Sequence, residues 1–187
     1  MKTRGVMDQE TLQRLQRFHA EAIPPNAIRN QGAGGVLDAL RSVLKGLDLA
    51  SLVVENQAAF IDRLNALTET LAARMPAGAQ HWGTARKAIN LFLRDCTYDH
   101  HLRQHHGLDK IEPWLEVPLD NDVARALRRE PEGLGLLRWT GLKGLKEPDS
   151  IRYQEAAQRV AERMGVLRVD LDLYWWRPEK KALTESR

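Results

Sequence analysis

Residues 82–98, WGTARKAINLFLRDCTY, decide the fold class because their apolar side chains cover nearly the whole circumference of a helix. Ala88, Ile89, Leu91, Phe92 and Leu93 follow one another with only Asn90 between them. A helix that is apolar all round is buried rather than lying on a surface. The sequence therefore predicts a helix from Trp82 to Tyr98 that runs through the core.

The rest of the chain continues this helical pattern, because apolar residues recur at three- and four-residue spacing without sustained alternation. Prolines at 24–25 and at 76 end two of the predicted helices, since proline cannot continue one. A polar insert, DHHLRQHHGLDKIEP at 99–113, follows the core helix. The predicted helices are 8–22, 36–44, 56–75, 82–98, 120–127 and 150–164. The fold class is all-α.

Length and charge limit the possible architectures and partners. A chain of 187 residues forms one well-buried domain or two small lobes sharing a cleft. The net charge of +3 is a mild basic bias that permits a polyanionic partner. Cys96 is the single cysteine, so no internal disulfide supports the fold, and its interpretation is a small buried hydrophobe. No apolar run reaches the roughly 18 residues of a membrane span, and the first residues lack a secretory apolar core. We expect a cytoplasmic protein, nucleoid-associated if prokaryotic, with no membrane partner.

Two carboxylates open the stretch EVPLDNDVARAL at 116–127. Asp120 or Asp122 can cap the following helix, because a short carboxylate accepts hydrogen bonds from the free N–H groups of the first turn. Lys87 offers a second interpretation. At the start of a core helix, beside apolar neighbours, its amine is favoured in the neutral, nucleophilic form. A neutral amine near a carboxylate is the minimum set for Schiff-base chemistry, provided that the fold brings Asp120 to Lys87.

Two other patterns do not support a site. His101 and His105 have a spacing that can hold a metal on one helix face, but no HExxH motif or second cysteine completes a zinc set. The glycine-rich NQGAGG at 30–35 follows no strand and is followed by no Lys-Ser/Thr pair, so it is a poor match to a phosphate loop. We expect no metal and no cofactor.

Three separated motifs, in order, resemble the helix-hairpin-helix DNA glycosylases. GTARKAINLFLRD resembles the hairpin and lysine helix, and VPLDNDVARAL resembles the segment that presents the catalytic aspartate. MGVLRVDLDLYWW is similar to the terminus of the archaeal-type 8-oxoguanine DNA glycosylase/AP lyases. The resemblance covers roughly residues 80–176 and extends weakly to RNQGAGG, where the family carries a duplex-probing Gln.

The resemblance implies an all-α glycosylase-like unit over 1–187, with two helical lobes beside a base-binding cleft. One lobe would comprise 1–30 with about 128–187, and the other about 31–127, including a hairpin near 80–87. The implied enzyme is a bifunctional DNA glycosylase/AP lyase that excises an oxidised purine, 8-oxoguanine in the family. Its partner would be double-stranded DNA containing a damaged base, bound by a monomer.

The family motifs also assign roles to individual residues. Lys87 would be the nucleophile and Asp120 its catalytic carboxylate. The implied base-binding residues are Asp172, Trp175, Trp176 and Gln31. The implied DNA-binding residues are Asn30, Gly83, Thr84 and Arg86.

Two departures keep other functions open. Ala85 replaces the second hairpin glycine, and Asp122 replaces a family histidine. They motivate a non-catalytic nucleic-acid-binding or scaffold protein that retains the fold. A third hypothesis is a helical enzyme that uses the same carboxylate at the C1′ of a nucleoside.

Overall fold

The computed structural model describes residues 7–28 and 30–175. Within these ranges it contains eight α-helices, six short 3-10 helices and no strand, which confirms the all-α class. The helices are α1 (Gln9–Ala22), α2 (Val36–Lys45), α3 (Gln57–Arg74), α4 (Trp82–Tyr98), α5 (His100–His106), α6 (Asn121–Leu127), α7 (Glu147–Met164) and α8 (Leu171–Trp175). None of these helices is long and apolar enough to cross a membrane.

Local signals set most of the helix ends. Asp8 and Asn56 cap α1 and α3, and each side chain accepts a hydrogen bond from a first-turn N–H group. The predicted bounds of the core helix are confirmed at both ends. The predicted helix 150–164 starts earlier, at Glu147, because Pro148 fits the first turn of a helix rather than ending one.

Helix α4 is the centre of the molecule. Fourteen of its 17 residues are buried, as the all-round apolar pattern predicts. The first cluster of core residues comprises buried side chains between Leu12 and Leu115, together with Val169. The second cluster comprises Trp82, Val117 and buried side chains of α6, α7 and α8. Because α4 contributes to both clusters, its polar residues lie where the clusters meet.

The two clusters divide the chain largely by sequence position. Residues of α1 belong to the first cluster, and α1 packs on α2 and α4. The division into a lobe of 1–30 with about 128–187 and a lobe of about 31–127 stays a prediction. In the described residues, and apart from Trp82 and Val169, the change of cluster falls near residue 116, immediately before the segment that carries Asp120.

The polar insert 99–113 is attached to the first cluster by three apolar side chains. Leu102, Leu108 and Ile111 are fully buried, whereas His100, His101 and His105 are exposed. Asp99 caps α5 and also lies 3.0 Å from the His19 ring nitrogen on α1. The insert therefore packs as part of the core and fixes the end of α4.

Candidate active site

Lys87 and Asp120 form an ion pair across 33 residues of chain. The Lys87 Nζ lies 3.1 Å from Asp120 Oδ2. The lysine side chain is only 7% exposed and the aspartate side chain is 30% exposed, so solvent reaches the pair from the aspartate side. The sequence-derived juxtaposition of these two residues is thus present in the structure.

Asp120 is also the cap of α6. Its Oδ1 accepts hydrogen bonds of 2.9 Å from the backbone N–H groups of Asp122 and Val123. One oxygen is therefore held by the helix N-terminus while the other faces Lys87. The helix cap and the contact with Lys87 are compatible because each uses a different oxygen.

The segment leading to Asp120 is held by side chains from other elements. Gln154 on α7 accepts a hydrogen bond from the Val117 N–H at 3.1 Å and donates one to the Val117 carbonyl at 2.9 Å. Arg168 donates to the carbonyl oxygens of Leu115 and Trp114 at 3.0 and 2.6 Å. These bonds fix the extended chain that delivers the carboxylate.

A buried ion pair joins the same segment to α4. Arg86, next to Lys87, has its Nε 3.0 Å from Glu116 Oε2, and both side chains are about 5% exposed or less. Asn90 donates to the same oxygen at 3.0 Å. Arg86 also donates to Thr68 and Asn65 on α3 and lies over the Trp82 ring. Glu116 thus ties the helix carrying Lys87 to the strand-like segment carrying Asp120.

The pair opens into a cleft of about 850 Å³. Residues that line it come from distant parts of the chain, including the 24–31 region, α4, the 118–122 region, the 140–143 region and α8. Its polar lining residues include Asn30, Gln31, Lys87, Arg94, Asp120 and Asp172. Five of these six are among the site residues named from the sequence, and Arg94 is not.

Arg94 and Asp172 form a second charged pair in this cleft. The Arg94 Nη1 donates to Asp172 Oδ2, and the Arg94 Nε donates to Asp95 Oδ1 at 2.9 Å. Burial raises the pKa of Asp172, while the Arg94 guanidinium opposes the rise and the Asp120 carboxylate adds to it. The cleft consequently contains two pairs of a cation and an aspartate, Lys87 with Asp120 and Arg94 with Asp172.

Gln31 and Asn30 both border the cleft but differ in exposure. Gln31 is 8% exposed, its Oε1 accepts a hydrogen bond of 2.5 Å from the Thr84 hydroxyl, and its carbonyl oxygen lies 3.0 Å from the His81 ring. Asn30 is exposed and has a positive φ of 62°. Asn30 therefore presents its side chain at the mouth, and Gln31 forms part of the wall.

Three of the four predicted DNA-binding residues are buried, and this part of the prediction is corrected. Gly83, Thr84 and Arg86 lie within α4 rather than in a hairpin turn, and the turn between α3 and α4 is at 75–81. A β-carbon at Gly83 would lie 2.5 Å from the Leu142 carbonyl oxygen, because the 142–145 segment packs directly on this position. Arg86 cannot reach a phosphate, since its guanidinium is enclosed by Glu116, Thr68 and Asn65.

Of the two tryptophans predicted to stack on the base, only Trp175 lies within the described residues. Trp175 is half-buried and packs against the second cluster, and it is not among the residues that line the cleft. Trp176 lies outside the described residues. Asp122 is exposed at the cleft rim, 3.5 Å from Arg125. Among the described residues, no group of three or more His, Cys, Asp or Glu side chains is placed to hold a metal.

Comparison of the chain with protein-family models, with curated proteins and with solved structures gives no match. The functional argument therefore depends on the motifs and on the geometry of this cleft.

Proposed function

We propose that the protein is a bifunctional DNA glycosylase/AP lyase that excises an oxidised purine, with 8-oxoguanine as the first candidate. The observation that carries the proposal is the contact between Lys87 and Asp120 in an open cleft. A shielded amine beside an oriented carboxylate is the arrangement that Schiff-base catalysis at a sugar C1′ requires.

Each member of the pair has a defined task in this proposal. The Lys87 amine attacks C1′ while the bond from C1′ to the base breaks, and the base leaves with the electron pair of that bond. Asp120 Oδ2 stabilises the positive charge that develops on the sugar and accepts the proton released by the amine. The C1′–O4′ bond then breaks as the nitrogen loses its second proton and forms an imine with C1′, and the released O4′ takes up a proton. Loss of a C2′ proton from this imine expels the 3′ phosphate, which cleaves the strand.

The cleft provides the space and polarity that an extruded base needs. A base inside a duplex cannot present its glycosidic bond, so enzymes of this class rotate the nucleotide into a pocket. A volume of about 850 Å³ lies in the range of small-molecule sites. Asp172 offers a buried acceptor and Arg94 a donor next to it, which suits the polar edge of an oxidised purine. Gln31 lies on the wall of the same cleft.

Borohydride trapping tests the proposal directly. The protein is incubated with sodium borohydride and a duplex containing 8-oxoguanine, and a covalent protein–DNA adduct is measured on a denaturing gel. We expect an adduct with the wild type, none with Lys87→Gln, and a large loss with Asp120→Asn. Lys110→Gln, which removes an exposed lysine of the insert, is the matched control and should react like the wild type. An adduct that persists in Lys87→Gln would assign the nucleophile elsewhere.

A panel of single-lesion duplexes then defines the substrate. Strand cleavage is scored with and without alkali, since a lyase cleaves without it and a purely hydrolytic glycosylase leaves an alkali-sensitive site. Absence of base release from every oxidised or alkylated duplex would refute the proposed enzyme.

A non-catalytic DNA-binding protein is the second candidate, favoured by one observation. Asp122 adds an exposed carboxylate at the rim, beside the cleft into which a phosphodiester strand must fit. This candidate predicts duplex binding without base release, and an affinity that Asp120→Asn leaves unchanged. Fluorescence anisotropy, which measures duplex binding, and the cleavage assay described above together separate the two functions.

A further inference from the structure

The segment 134–146, LGLLRWTGLKGLK, forms one border of the cleft and is called the rim segment here. Residues 140–143 of this segment line the cleft directly. The Trp139 indole N–H donates to Asn121 Oδ1 at 2.7 Å, and the Tyr153 hydroxyl donates to the Leu137 carbonyl at 2.7 Å. The Trp139 and Tyr153 rings also meet edge to face, with centroids 5.5 Å apart. The rim segment is thus fastened to α6 and α7 without being helical.

The rim segment packs on Gly83 at the start of α4, one of the residues expected to contact DNA. A β-carbon at Gly83 would lie 2.7 Å from Leu145 Cβ, so the segment and the start of α4 are in close contact. Thr84 and Arg86 are buried as well, Thr84 against Gln31 and Arg86 among Glu116, Thr68 and Asn65. Any strand entering the cleft from this side meets the rim segment instead.

The composition of the rim segment suits a nucleic acid. Arg138, Lys143 and Lys146 are exposed, and no carboxylate occurs from 133 to 146. The flanking carboxylates are engaged elsewhere: Glu132 is bound by Arg163, and Glu147 accepts a hydrogen bond from Asn65. The three cations consequently face solvent without an acidic neighbour inside the segment.

Two leucines of the same segment are unusually exposed. Leu134 is 81% exposed and Leu137 is 51% exposed. Both precede, in the sequence, residues 140–143, which line the cleft. Proteins that distort DNA insert such apolar side chains between base steps, where they replace a lost stacking partner. Extruding a base leaves a gap of this kind in the duplex.

We infer that the rim segment is the surface that binds the duplex next to the extruded base. Arg138, Lys143 and Lys146 contact phosphates, and Leu134 and Leu137 contact the unstacked bases. This inference rests on the proposed function for its choice of partner, but its test requires no catalysis. Charge and exposed apolar area occur together on the segment whose residues 140–143 line the cleft, and duplex DNA is the partner that uses both.

Binding is measured by fluorescence anisotropy in the Lys87→Gln background, in which no covalent step occurs. The probes are an intact duplex and the same duplex carrying a tetrahydrofuran abasic analogue. Arg138→Gln/Lys143→Gln should reduce the slope of log Kobs against log salt by about 2, because each phosphate contact contributes roughly one unit. Arg17→Gln/Lys110→Gln removes two exposed cations of α1 and the insert and should leave the slope unchanged.

The leucines are tested with the same two probes. Leu134→Ser/Leu137→Ser should remove most of the preference for the abasic duplex, while affinity for the intact duplex changes little. Ile151→Ser, a change at an exposed apolar residue of α7, is the control and should retain the preference. Thermal unfolding of every variant verifies that its fold is intact.

The outcomes separate the inference from the proposed function. Dependence of binding on the rim segment without base release by the wild type would overturn the enzyme and retain the surface. Base release with an unchanged slope and preference in the rim variants would overturn the surface and retain the enzyme. A concentration-dependent dimer that dissociates in Leu134→Ser/Leu137→Ser, with DNA binding unaffected, would assign the surface to a second copy of the chain.

Discussion

Breaking the buried pair of Arg86 and Glu116 should destabilise the fold more than any change at an exposed ion pair. Both side chains are almost fully buried, and Glu116 is shared by Arg86 and Asn90. Glu116→Leu leaves the guanidinium without its counter-charge, and Arg86→Met leaves the carboxylate without its own. Loss of one member of a buried pair costs about 3–5 kcal/mol, mainly because the remaining charge stays desolvated.

The size of this effect relative to the whole fold makes it measurable. Domains unfold with about 5–15 kcal/mol, so each single variant should lose a large part of its stability. For a chain of this length, 1 kcal/mol corresponds to about 2–4 °C in the unfolding midpoint, and 3–5 kcal/mol therefore to roughly 6–20 °C. The double variant Arg86→Met/Glu116→Leu removes both charges. It should lose less than the sum of the singles, with a coupling energy of roughly 3 kcal/mol.

The assay is urea unfolding followed by circular dichroism, with the four proteins of the cycle compared at one pH. Glu10→Gln is the control, since Glu10 and Arg14 form a pair whose side chains are 74% and 72% exposed, and such pairs contribute about 1 kcal/mol or less. Two results would refute the argument that this pair ties α4 to the 115–120 segment. In one, each single variant loses no more unfolding free energy than Glu10→Gln does. In the other, the two single losses simply add in the double variant.

Two further predictions concern the cleft and its border. Because burial raises the pKa of Asp172, the folded protein keeps the carboxyl proton to higher pH than the unfolded chain does. The quantity to follow is the unfolding free energy of the wild type minus that of Asp172→Asn. This difference should fall as the pH rises from below 3.8 through the pKa of Asp172 in the folded protein. Denaturant titrations of both proteins across this range measure the difference, and a flat or rising difference would contradict the assigned direction. Gly83→Ala should cost about 1–3 kcal/mol by overpacking against Leu142 and Leu145, whereas Gly34→Ala, with open space around its β-carbon, should stay within about 0.5 kcal/mol. Equal midpoints for these two alanine variants would mean that the rim segment does not pack on α4.

The elements that the sequence predicts well are those determined by local chemistry. Helix α4 was delimited at both ends because its apolar pattern begins and stops there. The role of Asp120 as a cap follows from the residue type at the start of α6. The contact between Lys87 and Asp120, by contrast, came from the order of motifs, since spacing alone does not determine which residues 33 positions apart will meet.

The prediction for Arg86 failed although the sequence contained a signal against it. A helix that is apolar all round leaves no solvated face, so a cation within that helix must be paired inside the protein. Glu116 is the required partner, but its position depends on packing between α4 and α7 that no local pattern encodes. Arg94 was missed for the same reason: its partner Asp172 lies 78 residues away. Long-range pairing therefore limits what this sequence reveals about its own site.

The two oxygens of Asp120 explain how a helix of only seven residues can orient a carboxylate toward Lys87. Oδ1 is bound by two N–H groups of α6, which fixes the plane of the carboxylate and leaves Oδ2 directed at Lys87. A partial rotation about the Cβ–Cγ bond would weaken the cap bonds and the Lys87 contact together, whereas a half-turn only exchanges two equivalent oxygens, so orientation and helix stability are linked. In the chain that precedes Asp120, Glu116 is bound to Arg86 of α4 and Val117 is bound to Gln154 of α7. The carboxylate is consequently restrained from both directions, by the helix that follows it and by the chain that precedes it. Such restraint is what a group must have if it is to meet a developing charge without reorganising.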